Sequence, residues 1–106
     1  MSLHEVSVQE LQAMQEAHAD FQLVDVRDPW ENEICNLGGL LIPIKELPLR
    51  ITELDPEKHI IVHCQMGGRS SRAALYLLEH GFKNVSNLRG GIKAWATEID
   101  PDMKMY

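Results

Sequence analysis

His59-Ile60-Ile61-Val62-His63-Cys64-Gln65-Met66-Gly67-Gly68-Arg69-Ser70 is an apolar, β-branched run that ends on a cysteine and turns through two glycines. The first half has the composition of a buried strand. From Arg69 to His80 the spacing becomes helical, with Ala73, Ala74, Leu77 and Leu78 on one stripe and Gly81 placed to stop the helix. The segment therefore predicts strand, tight turn, helix. Working outward, Phe21–Val26 is a second strand interrupted by Asp25. Asp28-Pro29 opens a short helix ending near Ile34, with Asp as cap and Pro at the first helical position. Gly38-Gly39 marks a turn, and Leu40-Leu41-Ile42 is a short apolar run stopped by Pro43. Residues 44–55 suit one or two short helical turns. Near the N-terminus, Ser7 and Glu10 have capping-box spacing, and Val8, Leu11 and Met14 continue a helix over about 8–18. Asn84–Leu88 is a last strand, and Arg89-Gly90-Gly91 turns into a final helix carrying Ile92, Ala94, Trp95 and Ile99 before Pro101. Strands alternating with helices imply a single α/β domain over 1–106, with a mainly parallel central sheet and helices on both faces. Ligands in such sheets sit at the carboxyl ends of strands, which directs attention to the residues just beyond His63.

Composition narrows the function classes. The chain has 106 residues, 44% hydrophobic and 25% charged, near the averages for globular domains. No run approaches the roughly 18 apolar residues a membrane helix needs, and Met1-Ser2-Leu3-His4-Glu5 lacks the basic start of a secretory leader. Two cysteines cannot form a disulfide scaffold, so the expected compartment is the reducing cytoplasm. A net charge of −6 argues against nucleic acid or an anionic membrane as partner. That charge is uneven. Residues 1–63 carry 4 basic and 12 acidic side chains, a net −8, whereas residues 64–106 carry 6 and 4, a net +2.

Cys64 stands where the sign changes. A glycine-containing strand-to-helix turn can direct several amides inward as an anion cradle. The helix behind it adds its positive N-terminal end, and Arg69 and Arg72 add full charges. All of these favour thiolate over thiol, which makes Cys64 an expected exposed, activated nucleophile. His59 and His63 fall on the opposite strand face from Cys64, and no further Cys/His cluster completes a metal site. The two histidines are expected as cross-strand or surface residues. A cysteine in this kind of loop serves phosphoryl or sulfur transfer. Cysteine-based phosphatases place five residues between Cys and Arg; here four separate Cys64 from Arg69, and Ser70 stands at the phosphatase arginine position. The smaller loop suits one extra sulfur atom better than a phosphate.

These residues resemble a rhodanese-like sulfurtransferase domain. Leu23-Val24-Asp25-Val26-Arg27-Asp28-Pro29-Trp30-Glu31 looks like the family's first motif, and Cys64–Ser71 like its active-site loop. Glu33-Ile34, Gly39 and Ile42-Pro43 resemble the segment between them. Gly81-Phe82, Asn84-Val85, Leu88, Gly90-Gly91 and Trp95 resemble the closing pattern. Cys35-Asn36-Leu37-Gly38-Gly39 departs from the family's Gly-His approach to its Ile-Pro stretch. Glu33-Ile34-Cys35 and the stretch Ala94 to Tyr106 bring the chain closest to the C-terminal domain of adenylyltransferase–sulfurtransferases.

The resemblance implies that Cys64 takes a sulfane sulfur from a small anionic donor such as thiosulfate. It then passes that sulfur, as a persulfide, to cyanide, a thiol or a sulfur-carrier protein, with no cofactor. Gln65, Met66, Gly67, Gly68 and Arg69 form the loop, with Ser70 supporting it. Arg69 either clamps substrate or braces the loop against Asp25 or Glu33. Asp25 needs a buried partner, and Arg27 is a candidate for substrate contact. Trp30, Trp95 and Cys35 read as packing residues. A monomer is expected. The alternatives are a non-catalytic binding module of the same family and a cysteine-based phosphatase or arsenate reductase.

Overall fold

The computed structural model describes residues 3–106; Met1 and Ser2, part of the stretch read for a leader, lie outside the described residues. The elements run β1 (Glu5–Val6), α1 (Val8–Glu16), β2 (Phe21–Asp25), α2 (Pro29–Ile34) and β3 (Leu40–Leu41). They continue with α3 (Leu47–Arg50) flanked by two 3₁₀ turns, β4 (His59–His63), α4 (Gly68–Glu79), β5 (Asn84–Leu88) and α5 (Gly91–Glu98). The five strands form one parallel sheet in the order β1-β5-β4-β2-β3. β4 is central. It pairs with β2 in the register Asp25↔His63 and with β5 in the register Val62↔Asn87.

Strand alternation divides the core. Val24, Val26, Ile60, Val62, Cys64 and Val85 face one side, where Ala73, Ala74 and Leu77 of α4 and Leu47 of α3 cover them. Leu23, Ile61 and Leu88 join the second cluster, with Val8 and Leu11 of α1 and Trp95 near the end of the chain. Ile60, Ile61 and Val62 are fully buried; each contributes about 1.5–3 kcal/mol by leaving water. The capping box at Ser7 is formed in both directions, with Ser7 Oγ accepting from Glu10 N–H and Glu10 Oε1 accepting from Ser7 N–H, both at 3.1 Å.

Two local expectations need correction. β1 is a strand the periodicity did not show, because two residues are too few to display a period of two; its pairing with β5 supplies the signal instead. His63 is not a surface residue; it stands across from Asp25 on β2. It is completely buried, and neither ring nitrogen has a hydrogen-bond partner. His59 does reach across, its Nε2 lying 2.8 Å from Ser86 Oγ on β5. Among the described residues no helix is long and apolar enough to cross a membrane.

Candidate active site

Cys64 is the first residue beyond the central strand, so its position is set by pairing on both sides. The turn after it is held by α5. Ile92 N–H donates to the Cys64 carbonyl and Lys93 N–H to the Gln65 carbonyl, both at 3.0 Å. Those carbonyls are thereby turned towards α5, and the amide of Met66, which shares a peptide plane with the Gln65 carbonyl, faces the other way. The close approach requires Gly91. A Cβ there would lie 2.4 Å from the Gln65 oxygen and 2.6 Å from the Cys64 oxygen, and its φ is +62°. Gly67, at φ +118°, turns the chain into α4 in a conformation open to glycine and strained for other residues.

The outcome is a sulfur surrounded by donors. Cys64 Sγ accepts from Gly67 N–H at 3.1 Å, Ser70 N–H at 3.5 Å and Ser70 Oγ–H at 3.3 Å. It also faces the N-terminal end of α4. Burial pushes the thiol pKa up, but hydrogen bonds from the Ser70 hydroxyl and from the Ser70, Gly67 and Met66 amides outweigh it. The net position is below the ordinary thiol value. Cys64 is not an exposed nucleophile as expected: it is 2% accessible. It forms the floor of a cavity of about 370 Å³ lined by Gln65, Met66, Gly68, Arg69 and Arg72.

Arg69 braces the loop, though not through Asp25 or Glu33. It makes a bidentate pair with Glu31, Nη1 to Oε1 at 2.6 Å and Nη2 to Oε2 at 2.8 Å. Glu31 is 3% exposed and sits at the third helical position of α2, where its Oε1 also accepts from Asp28 N–H at 3.0 Å. The capping-box spacing from Asp28 to Glu31 was the signal in the sequence that could have singled it out. Tyr106 Oη donates to Glu31 Oε2 at 2.6 Å and accepts from Arg27 Nη1 at 3.1 Å. The Arg69 hydrogen bonds, against opposing burial and with help from Tyr106 and Asp28, hold the Glu31 carboxyl down at about 2.

Arg27 is fully buried and cannot touch a substrate in the cavity. It is the partner Asp25 needs. Nε donates to Oδ1 at 2.9 Å and Nη2 to Oδ2 at 2.7 Å, because residues two apart leave an extended segment on the same side. Burial pushes the Asp25 pKa up; the bonds from Arg27 and Asn32 and the field of His63 reverse it to a net depression. Arg27 Nη2 also donates to the Cys35 carbonyl at 2.7 Å. Cys35 is itself buried and free, its Sγ 3.7 Å from Arg27 Nη1 and 3.8 Å from Met105 Sδ. Trp30, expected in the packing, is 55% exposed and meets the Tyr106 ring edge-on with centroids 5.2 Å apart. Trp95 packs on the α1 side of the sheet.

Asn87 on β5 is a further residue of the site that sequence reasoning missed. Its Oδ1 accepts from Ser70 Oγ–H, and its Nδ2 donates to Ser71 Oγ at 2.9 Å. No pattern in the sequence marks it; only the β4–β5 register brings it beneath the loop. Among the described residues no cluster of three or more His, Cys, Asp and Glu is placed to hold a metal ion.

Comparison with known proteins gives the same assignment. Residues 7–98 match the model of the rhodanese-like domain. The chain is 41% identical over 90 residues to the chloroplastic rhodanese-like/PpiC domain-containing protein 12 of Arabidopsis thaliana, covering 80% of this chain and 30% of that one. It is 32% identical over 104 residues to the probable adenylyltransferase/sulfurtransferase MoeZ of Mycobacterium tuberculosis, covering 95% and 26%. To the putative sulfurtransferase YtwF of Bacillus subtilis it is 33% identical over 106 residues, covering 95% and 98%. It thus spans under a third of the first two relatives and nearly all of the third. Among solved structures, thiosulfate sulfurtransferase from Pseudomonas aeruginosa superposes with a TM-score of 0.81 at 31% identity, covering 90% of this chain and 19% of that one. The parallel sheet, the cysteine-bearing loop at its carboxyl end and these matches agree: the chain belongs to the rhodanese-like family of sulfurtransferase domains.

Proposed function

We propose that the protein is an active sulfurtransferase of the thiosulfate type, with Cys64 as its nucleophile. The observation that carries this reading is the set of three hydrogen bonds converging on Cys64 Sγ at the floor of a cation-rimmed cavity. In the first half-reaction the thiolate attacks the outer sulfur of thiosulfate. The Cys64 Sγ–S bond forms, the donor's S–S bond breaks, and sulfite leaves with the electron pair. In the second, a nucleophile attacks the terminal sulfur and the Sγ–S bond breaks, returning its pair to Cys64. Cyanide would leave as thiocyanate. A thiol or a sulfur-carrier protein would take the sulfur in the cell.

Each intermediate is an anion, and preorganised amides favour anions without reorganising during the reaction. The Arg69 guanidinium is 29% exposed and lines the cavity while pinned to Glu31, so it supplies a fixed positive wall. Arg72 lines the same cavity and enters no ion pair among the described residues, which leaves it available to an anionic donor. No cofactor is needed. The chemistry requires a reduced thiol, which suits a reducing compartment such as the cytoplasm. Both cysteines are free.

The test is turnover. The purified protein should convert thiosulfate and cyanide to thiocyanate, and should not hydrolyse an aryl phosphate. Thiocyanate formation that persists in Cys64→Ala would refute the role of Cys64. No turnover and no sulfur uptake in the wild type would favour a non-catalytic binding module. Aryl phosphate hydrolysis would move the reading to the phosphatases.

A further inference from the structure

Ser70 has one hydroxyl hydrogen and two acceptors. Cys64 Sγ lies 3.3 Å from its oxygen on one side, and Asn87 Oδ1 lies within hydrogen-bond distance on the other. The orientation of the Asn87 amide is forced by its surroundings. Ser71 Oγ donates to the Gly67 carbonyl at 2.6 Å, so towards Asn87 it can only accept, and the Gly67 carbonyl, 3.4 Å from Nδ2, can only accept as well. The nitrogen must face those two groups, which leaves the oxygen facing Ser70. Ser70 is completely buried and Asn87 is 3% exposed, so neither draws on bulk water for a replacement partner.

We propose that Asn87 is a positioning residue that competes with Cys64 Sγ for the Ser70 hydrogen and so sets the balance between the thiolate and the sulfur-loaded enzyme. The proposal rests on Cys64 being the sulfur-carrying nucleophile. When Cys64 is a thiol, its S–H donates to Ser70 Oγ and the Ser70 hydroxyl donates to Asn87, so every group is satisfied. When the thiol gives up its proton to solvent, the hydroxyl turns to the sulfur anion and Asn87 Oδ1 is left buried without a donor. Asn87 therefore opposes the free thiolate. In the persulfide the negative charge has moved to the terminal sulfur and Sγ is bonded on both sides. The hydroxyl then returns to Asn87, which favours the loaded form. The same side chain resists charge on Sγ and accommodates its transfer one atom outward.

The test measures the Cys64 thiol pKa from the pH dependence of its alkylation by iodoacetamide, read on the Cys64 peptide by mass spectrometry so that Cys35 does not interfere. Asn87→Ala, which removes the competing acceptor, should lower that pKa by about one unit, the scale of one hydrogen bond to a charged group. Asn87→Asp, nearly the same size, should raise it by about a unit or more. Both variants lose the amide donated to Ser71, so a loosened loop would move them in the same direction. In a Ser70→Ala background the Asn87→Ala shift should vanish. In the presence of Ser70, Asn87→Ala should also require about tenfold more thiosulfate for half-loading at fixed sulfite. Should Asn87→Ala not fold, Asn87→Asp with and without Ser70 carries the test, its upward shift shrinking when Ser70 is absent. An unchanged or raised pKa in Asn87→Ala overturns the proposal, as does an equal shift of either variant with and without Ser70. Because alkylation needs no sulfur transfer, these results stand apart from any failure of the wild type to form a persulfide.

Discussion

Acidification should destabilise the fold through His63 before any carboxylate is involved. The ring is fully buried, both nitrogens lack partners, and Asp25 and Arg27 face it with opposing charges. Burial, reinforced by Arg27 and only partly opposed by Asp25, lowers its pKa from 6.5 to about 4. The unfolded imidazole thus takes up its proton near 6.5 and the folded one near 4, so between those values the unfolded chain holds more protons. Stability is complete above about pH 6.5 and falls as the pH drops towards 4. The depression corresponds to about 3 kcal/mol in all, of which about 2 kcal/mol is lost by about pH 5. Urea unfolding at several pH values between 7.5 and 5, on the wild type and on His63→Leu, reads this directly. The leucine variant replaces two unsatisfied nitrogens with apolar atoms, so it should be at least as stable near neutrality and show a flatter pH dependence. His59, whose pKa burial and His4 also lower, contributes equally to both proteins and drops out of the comparison. Parallel pH profiles for the two proteins would refute the reasoning.

Two further substitutions probe the scaffold of the loop. Glu31→Gln should cost about 2 kcal/mol, because a buried charge-assisted pair becomes a neutral contact while Arg69 keeps partial access to water. Since the Glu31 pKa is held at about 2, its contribution is full above about pH 4.5 and fades as the pH falls towards 2; a wild-type-like urea midpoint for Glu31→Gln at pH 7 would show that the pair does not brace the fold. Gly91→Ala should destabilise by about 2 kcal/mol or more and depress sulfur loading, because a Cβ at φ +62° would meet two backbone oxygens; unchanged stability and loading would mean that α5 does not position the loop.

The legibility of this chain in its sequence divides by range. Features set within a few residues were readable: the capping box at Ser7, the Pro at the start of α2, the glycines before α4 and the apolar run of β4. Cys64 stood out because strand, glycines and arginines are contiguous. Partners set by tertiary structure were not readable. For Arg69, substrate contact and bracing against Asp25 or Glu33 were both open; its carboxylate lies 38 residues earlier, at Glu31, and is picked out only by the face of α2 that turns inward. Asp25 was recognised as needing a partner, but Arg27 was assigned towards substrate because sequence alone does not show that its guanidinium is buried. Asn87, on β5, and Tyr106, near the end of the chain, enter the site only through strand register and the path of the last residues, which no local pattern encodes. The charge asymmetry along the chain corresponds to a physical feature: Arg69 and Arg72 rim the cavity above Cys64.

The most direct measurement is the intact mass of the reduced protein before and after thiosulfate, and again after cyanide. The wild type should gain one sulfur atom and lose it to cyanide, Cys35→Ser should do the same, and Cys64→Ala should gain nothing. Sulfur uptake that survives in Cys64→Ala, or a wild type that takes up none, would contradict the assignment of Cys64 as the sulfur carrier.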